Sequence, residues 1–240
     1  MTPDLTDAAV RRLVVIGHPN HELAIFGFVQ RARPHLLFLT DGGGQERVDE
    51  SRRALASIGA LDRAKFLGWR EQTLYEALLA LDVDTLLQLV DAVRAELVAL
   101  APHHVICESV ELYNPLHDLT LPIVRAAAAA LPEIDIFEFP LIAQEPSDGE
   151  RYRMQRFAAG RPSIAFHLDA RELETKLHLR DHEYHSLRRT TGSIIDVSPD
   201  CAGTEVFARA ADARGEIDRI VTFADHFRPA AAALAAAAAR

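Results

Sequence analysis

Leu13-Val14-Val15-Ile16-Gly17-His18-Pro19-Asn20-His21-Glu22 is the stretch that decides how the chain folds. Five residues without a polar side chain end in Gly, the pattern of a strand buried on both faces. A polar turn holding two histidines follows directly. Residues 22–33 then have helical spacing, with Leu23, Phe26 and Val29 on one side. Strand, loop, helix is the opening unit of an α/β sheet.

The same unit recurs downstream. Leu36–Thr40 (LLFLT) reads as a second strand, closed by Asp41-Gly42-Gly43-Gly44. Arg47–Ile58 is amphipathic and stops at Gly59. A short strand at Lys65–Leu67 precedes two helices between Glu71 and Leu100, and His104–Glu108 (HVICE) is a further buried strand. An irregular segment, Ser109–Asp118, leads to a helix at Thr120–Leu131 and a strand at Ile134–Phe139. Strands are expected at Arg151–Phe157, Ser163–His167 and Glu205–Ala208, with one helix at Ala170–Leu187 and a terminal alanine-rich helix at Pro229–Arg240. Alternating strands and helices predict an α/β, Rossmann-like fold: a mostly parallel sheet with helices on both faces. No repeat and no Gly-, Ser- or Pro-rich linker divides the chain, so one domain, 1–240, is expected.

Bulk composition narrows the function. The chain has 240 residues, 49% of them hydrophobic, enough for a sizeable core. Its formal net charge of −9 argues against a nucleic-acid backbone as partner. Two cysteines, Cys107 and Cys201, are too few for a disulfide framework or a four-cysteine zinc site, which suits a cytoplasmic setting. The acidic N-terminus lacks the order of a signal peptide, and the longest apolar run, 230–239, is too short to span a bilayer. The expected partner is a small-molecule substrate, not nucleic acid or membrane, and self-association into a homo-oligomer is compatible with the composition.

In a parallel sheet, ligands collect beyond the carboxyl ends of the strands. Two histidine-bearing segments are expected there: His18-Pro19-Asn20-His21-Glu22 and Asn114-Pro115-Leu116-His117-Asp118. His18, His21 and His117 are therefore the candidate metal ligands, because three protein ligands plus water make a catalytic zinc site. Three neutral imidazoles leave the ion's full charge in place, favouring ionisation of bound water near neutral pH. Nitrogen ligands suit other divalent transition metals as well. His35, His103, His104, His167 and His226 read as surface or capping residues. His178, His182 and His185 share a helix at spacings of four and three and read as an exposed face. Gly42–Gly44 lacks a dinucleotide or P-loop spacing, no Gly-x-Ser-x-Gly is present, and Cys107 in a buried strand reads as inert.

Taken in order, these segments resemble the PIG-L/LmbE group of zinc-dependent N-deacetylases. That group opens with a strand and His-Pro-Asp-Asp-Glu, matched by Ile16-Gly17-His18-Pro19-Asn20-His21-Glu22. Its Thr-x-Gly is matched by Thr40-Asp41-Gly42, its Arg-x-x-Glu helix by Arg47, Glu50, Ala54, Ile58 and Gly59, and its Phe-Leu-Gly by Phe66-Leu67-Gly68. Its later His-Pro-Asp-His falls where Asn114-Pro115-Leu116-His117 stands. The match runs from Leu13 to Leu131. The resemblance implies zinc at His18 and His117, with His21 in place of an Asp ligand. It also implies that Asn20 stands where the family has its general base, Asn114 where it has a transition-state-stabilising His, and Leu116 where it has an Asp.

Within that frame Asn20 is expected to orient water, and Glu22, Glu108, Glu111 or Asp118 to carry protons. Asn114 is expected to donate to a developing oxyanion. Arg47 and Glu71 are expected to line the substrate pocket, with Glu111 beside them. The expected activity is a zinc-dependent amide hydrolase on a small polar N-acyl substrate, including N-acetyl sugar conjugates. The alternatives are non-hydrolytic metal chemistry on the same fold (elimination, isomerisation or group transfer) and a catalytically silent metal-binding relative.

Overall fold

A computed structural model of the chain describes residues 5–111, 114–131, 133–141, 156–157, 160–191, 202–210 and 224–239. Strands β1 (Arg12–Ile16), β2 (His35–Thr40), β3 (Ala64–Trp69), β4 (His104–Glu108), β5 (Asp135–Phe139), β6 (Ile164–His167) and β7 (Thr204–Arg209) form one sheet in the order β3-β2-β1-β4-β5-β7-β6. The five strands from β3 to β5 are parallel; β7 runs antiparallel to β5, and β6 antiparallel to β7. The helices are α1 (Phe26–Ala32), α2 (Gln45–Ser57), α3 (Glu71–Ala80), α4 (Val83–Leu100), α5 (Pro115–Ala128), α6 (Ala170–His182), α7 (His185–Thr191) and α8 (Ala224–Ala238).

Two cores, one per sheet face, follow from the two-residue period of the strands. Leu13 and Val15, with Leu37, Leu39, Val105 and Cys107, face α3, α4, α5 and α8. Val14 and Ile16, with Leu36, Phe38, Ile106 and Phe137, face α1, α2, α6 and α7. The expected α/β architecture with helices on both faces is what the structure has. Cys107 is buried on the first face and its thiol is pushed well up by burial; Cys201 lies outside the described residues, as does most of the strand expected at 151–157.

Three local expectations need correcting. Residues 22–33 are not one helix: a 3-10 turn, His21–Ile25, precedes α1. The segment before Thr120 is not irregular throughout, because α5 already starts at Pro115 with Asn114 as its N-cap. Proline is well suited to that first helical position. The helix expected across 170–187 is two helices, separated at Glu183-Tyr184, where the Tyr184 ring is fully buried. Burying a large aromatic side chain outweighs the helix continuity that local periodicity favours.

A buried ion pair fixes α6 to the N-terminal half. Lys176 Nζ donates to Glu205 Oε1 (2.7 Å) and to Ala24 O (2.8 Å), while Glu205 accepts the Gly27 and Phe28 N–H groups at 2.8 and 2.7 Å. Among the described residues no helix is long and apolar enough to cross a membrane.

Removing one partner of a buried pair strands the other charge in a low dielectric, at a cost of about 3–5 kcal/mol. Lys176→Met is therefore expected to lower the unfolding free energy by roughly that amount. Urea denaturation of the full chain measures it, and an unchanged midpoint would contradict the assignment.

Candidate metal centre

The site forms at the carboxyl edge of the sheet, where β1 lies between β2 and β4. Parallel pairing sets Val15 beside Cys107. The turn after β1 and the end of β4 therefore emerge side by side. His18 follows β1, His21 opens the 3-10 turn, and His117 sits in the first turn of α5.

The structure brings these three histidines together. Their ring centres are 5.0 Å (His18–His21), 5.0 Å (His18–His117) and 4.4 Å (His21–His117) apart, each pair edge to face. Imidazoles sharing a tetrahedral ion at ordinary Zn–N distances would have centres about 5 Å apart. All three are buried and uncharged at neutral pH: burial, followed by mutual repulsion or the nearby Arg47 charge, lowers each, His21 to about 3. Among the described residues no group of three or more His, Cys, Asp or Glu side chains is arranged to hold a metal ion. What exists is three neutral rings gathered close together.

Hydrogen bonds decide which ring nitrogens are left to bind. Thr40 Oγ1 donates to Gly17 O (2.7 Å) and accepts the Gly42 N–H (3.1 Å). With that proton on Gly17 O, the 3.2 Å contact with His18 Nδ1 is a bond donated by the ring in its Nδ1–H tautomer. His18 Nε2 is then a bare lone pair, and it is buried with no hydrogen-bond partner among the described residues. His21 Nδ1 lies 2.8 Å from Glu108 Oε1. The donor types present suit a divalent cation by their chemistry: a buried acceptor without a partner is what a metal would use.

Asn20 occupies the middle of the turn in a left-handed conformation, φ 82°, which Asn tolerates better than most residues. Its side chain is bound on several sides. Nδ2 donates to Glu50 Oε2 (2.8 Å) and Ser186 Oγ (2.7 Å), and Oδ1 accepts from Ser51 Oγ (3.2 Å). Both amide hydrogens are spent, so its geometry is that of a lock on the ligand turn. Glu22 is likewise interior: Oε1 accepts from Tyr184 OH (2.9 Å), and burial pushes its carboxyl up to about 7. Asp118 and Glu111 brace the loop after β4, Asp118 Oδ1 accepting the Glu111 N–H and Glu111 Oε1 accepting the Leu141 N–H, both at 2.7 Å.

Other polar groups do border the rings. Glu71 Oε1 is 3.8 Å from His18 Nδ1, and Glu71 keeps partial solvent access. Burial raises its carboxyl, while the Arg47 charge acts the other way. Arg47 is close enough to act on all three histidines. Gly42, at φ 62°, leaves it room, since a Cβ there would stand 3.0 Å from Arg47 Cδ and 3.1 Å from Pro19 Cδ. Asn114 Oδ1 caps α5 at Leu116 N (2.9 Å) and accepts from Tyr75 OH (3.1 Å). Tyr75, pushed up to about 12 by burial and the Glu71 charge, is a site residue that sequence reasoning missed. Its one signal was a place four residues after Glu71 in a helix, hence on the same face.

No protein-family model matches the chain, and no curated protein matches it. Solved structures share the fold. The A40926 pseudoaglycone deacetylase Dbv21 superposes with a TM-score of 0.59 at 14% identity, over 87% of this chain and 100% of that one. The zinc-inhibited form of teicoplanin deacetylase Orf2 gives 0.56 at 10%, over 84% and 100%. The conserved protein TT1542 from Thermus thermophilus gives 0.50 at 20%, over 84% and 95%. At these identities the likeness establishes a common fold.

The lock at position 20 makes a prediction. Asn20→Asp loses two donated hydrogen bonds and sets a second carboxylate against Glu50. Two such groups cannot both ionise at close range, so the new acid's pKa is raised and its penalty is small in acid and grows as pH rises. A loss on the order of 3 kcal/mol is expected at pH 8. Thermal unfolding of wild type and variant at pH 5 and pH 8 tests this; a shift larger at pH 5 would refute the lock.

Proposed function

We propose that the chain is a divalent-metal-dependent amide hydrolase, zinc being the first candidate, that deacylates a small polar N-acyl substrate such as an N-acetyl sugar conjugate. The observation carrying this reading is the cluster of three buried, uncharged histidines with a bare nitrogen on His18. It agrees with the resemblance in the first half of the chain and with a fold shared with the A40926 pseudoaglycone and teicoplanin deacetylases.

In this reading His18, His21 and His117 would hold the ion, which would supply Lewis-acid polarisation of an acyl oxygen and activation of water. The chain's own residues do the rest. Thr40 and Glu108 aim two of the rings. Glu71, beside His18 Nδ1 and still partly open to solvent, would be the acid that carries a proton from water to the leaving amine. Asn114 Nδ2, opposite the oxygen used for the cap, is the donor available to an oxyanion. Arg47 and Tyr75 bind polar substituents of the substrate.

One observation favours non-hydrolytic chemistry instead. The position where the resembling family has its base is here an amide bound to Glu50, Ser51 and Ser186. Proton transfer by a general base contributes on the order of 10²–10⁴-fold, and Glu71 would have to supply it.

Two measurements test the proposal. Protein stripped with chelator is titrated with Zn²⁺, Co²⁺, Fe²⁺ and Ni²⁺; one tight equivalent is expected. Removing a ligand by His21→Ala or His117→Ala is expected to weaken binding at least ~10-fold. Amine release is then followed across N-acetylated sugars and amino acids. Undiminished turnover by His21→Ala would remove the ligand set, and metal binding without amine release from any of these substrates would favour the second reading.

A further inference from the structure

Glu108 is a carboxylate with no exposed surface, at the end of a strand in the middle of the sheet. Such a group is costly to bury, and an apolar residue there would be cheaper. Its contacts show what it is used for. Oε1 accepts the Gly17 N–H (3.1 Å) and lies 2.8 Å from His21 Nδ1. Oε2 accepts from Thr120 Oγ1 (3.2 Å), one helical turn beyond His117 on α5.

The backbone is cut to admit it. A Cβ on Gly17 would stand 2.8 Å from Glu108 Oε2, 3.0 Å from Thr120 Oγ1 and 3.4 Å from the Leu116 carbonyl oxygen. Gly17 is therefore the opening through which β4 reaches the turn after β1. One carboxylate thus touches the end of β1, a ring of the histidine cluster, and the helix that bears another.

We propose that Glu108 is the positioning residue that makes His21 a metal ligand, accepting its Nδ1–H so that Nε2 faces His18 and His117. The inference rests on the metal-centre reading above and adds a residue to it. A carboxylate behind a liganding imidazole fixes the tautomer and ring orientation and raises the basicity of the far nitrogen. Thr40 does the same more weakly for His18, with a neutral oxygen. Glu108 differs in its closer approach, 2.8 Å, and in tying two ligand-bearing segments together.

Glu108→Gln keeps the shape and one acceptor oxygen but puts an NH2 donor in place of the second oxygen. Gly17→Ala leaves the carboxylate but forces it to move. Both variants, as full chains, are titrated with Zn²⁺ against a competing chelator. Each is expected to bind about 10–100-fold more weakly than wild type, the usual effect of losing such a partner. Nitrogen-15 NMR of metal-free wild type is expected to show His21 protonated at Nδ1, a signature that a merely structural carboxylate would not require. Wild-type zinc affinity in either variant, or an Nε2–H tautomer of His21 in the wild type, would overturn the role of Glu108 while leaving the metal centre standing. Wild-type protein that takes up no Zn²⁺ would overturn both. Should Glu108→Gln fail to fold, Gly17→Ala and the wild-type spectrum still decide.

Discussion

Parallel pairing of β1 with β4 brings together two segments some ninety residues apart, and the meeting of the His18–His21 turn with Glu108 and His117 is a consequence of it. Register matters as much as adjacency. With Val15 opposite Cys107, Glu108 comes level with Ile16, one residue before Gly17, and its carboxyl meets both the Gly17 N–H and the ring beyond it. A slip of one residue would turn Glu108 to the other face of the sheet and separate it from His21.

Burial sets the electrostatics that this register makes available. Desolvation lowers all three imidazoles and raises Glu22, Glu71 and Glu108. The cluster is a group of polar atoms held out of water at some expense. Uncharged imidazoles beside buried acids are the conditions under which a divalent ion would gain most by entering. The region then resembles an incomplete polar network more than a hydrophobic core.

Much of this was legible in the chain. Buried strands announce themselves as short apolar runs, and β1, β2 and β4 were readable within a residue or so. His18, His21 and His117 could be placed at one sheet edge from strand ends alone. What could not be read was side-chain allegiance. Asn20 in a polar turn looks like a catalytic residue until Glu50 and Ser186 are seen to hold its amide, and those partners lie 30 and 166 residues away. Tyr184 interrupts an unbroken helical pattern because its ring is needed in the core and its hydroxyl meets Glu22. Glu108 was visible as one acid among several, but its service to His21 depends on register, which local pattern does not carry.

The interruption at Tyr184 has one more effect. It turns α7 so that the Ser186 N–H and hydroxyl both donate to Glu50, while Ser186 Oγ also receives the Asn20 amide. The histidine turn is therefore clasped by a residue 166 positions further along the chain. During synthesis that clasp is missing until Ser186 has emerged, so the turn cannot be fully braced before then, whatever the order in which the sheet itself forms.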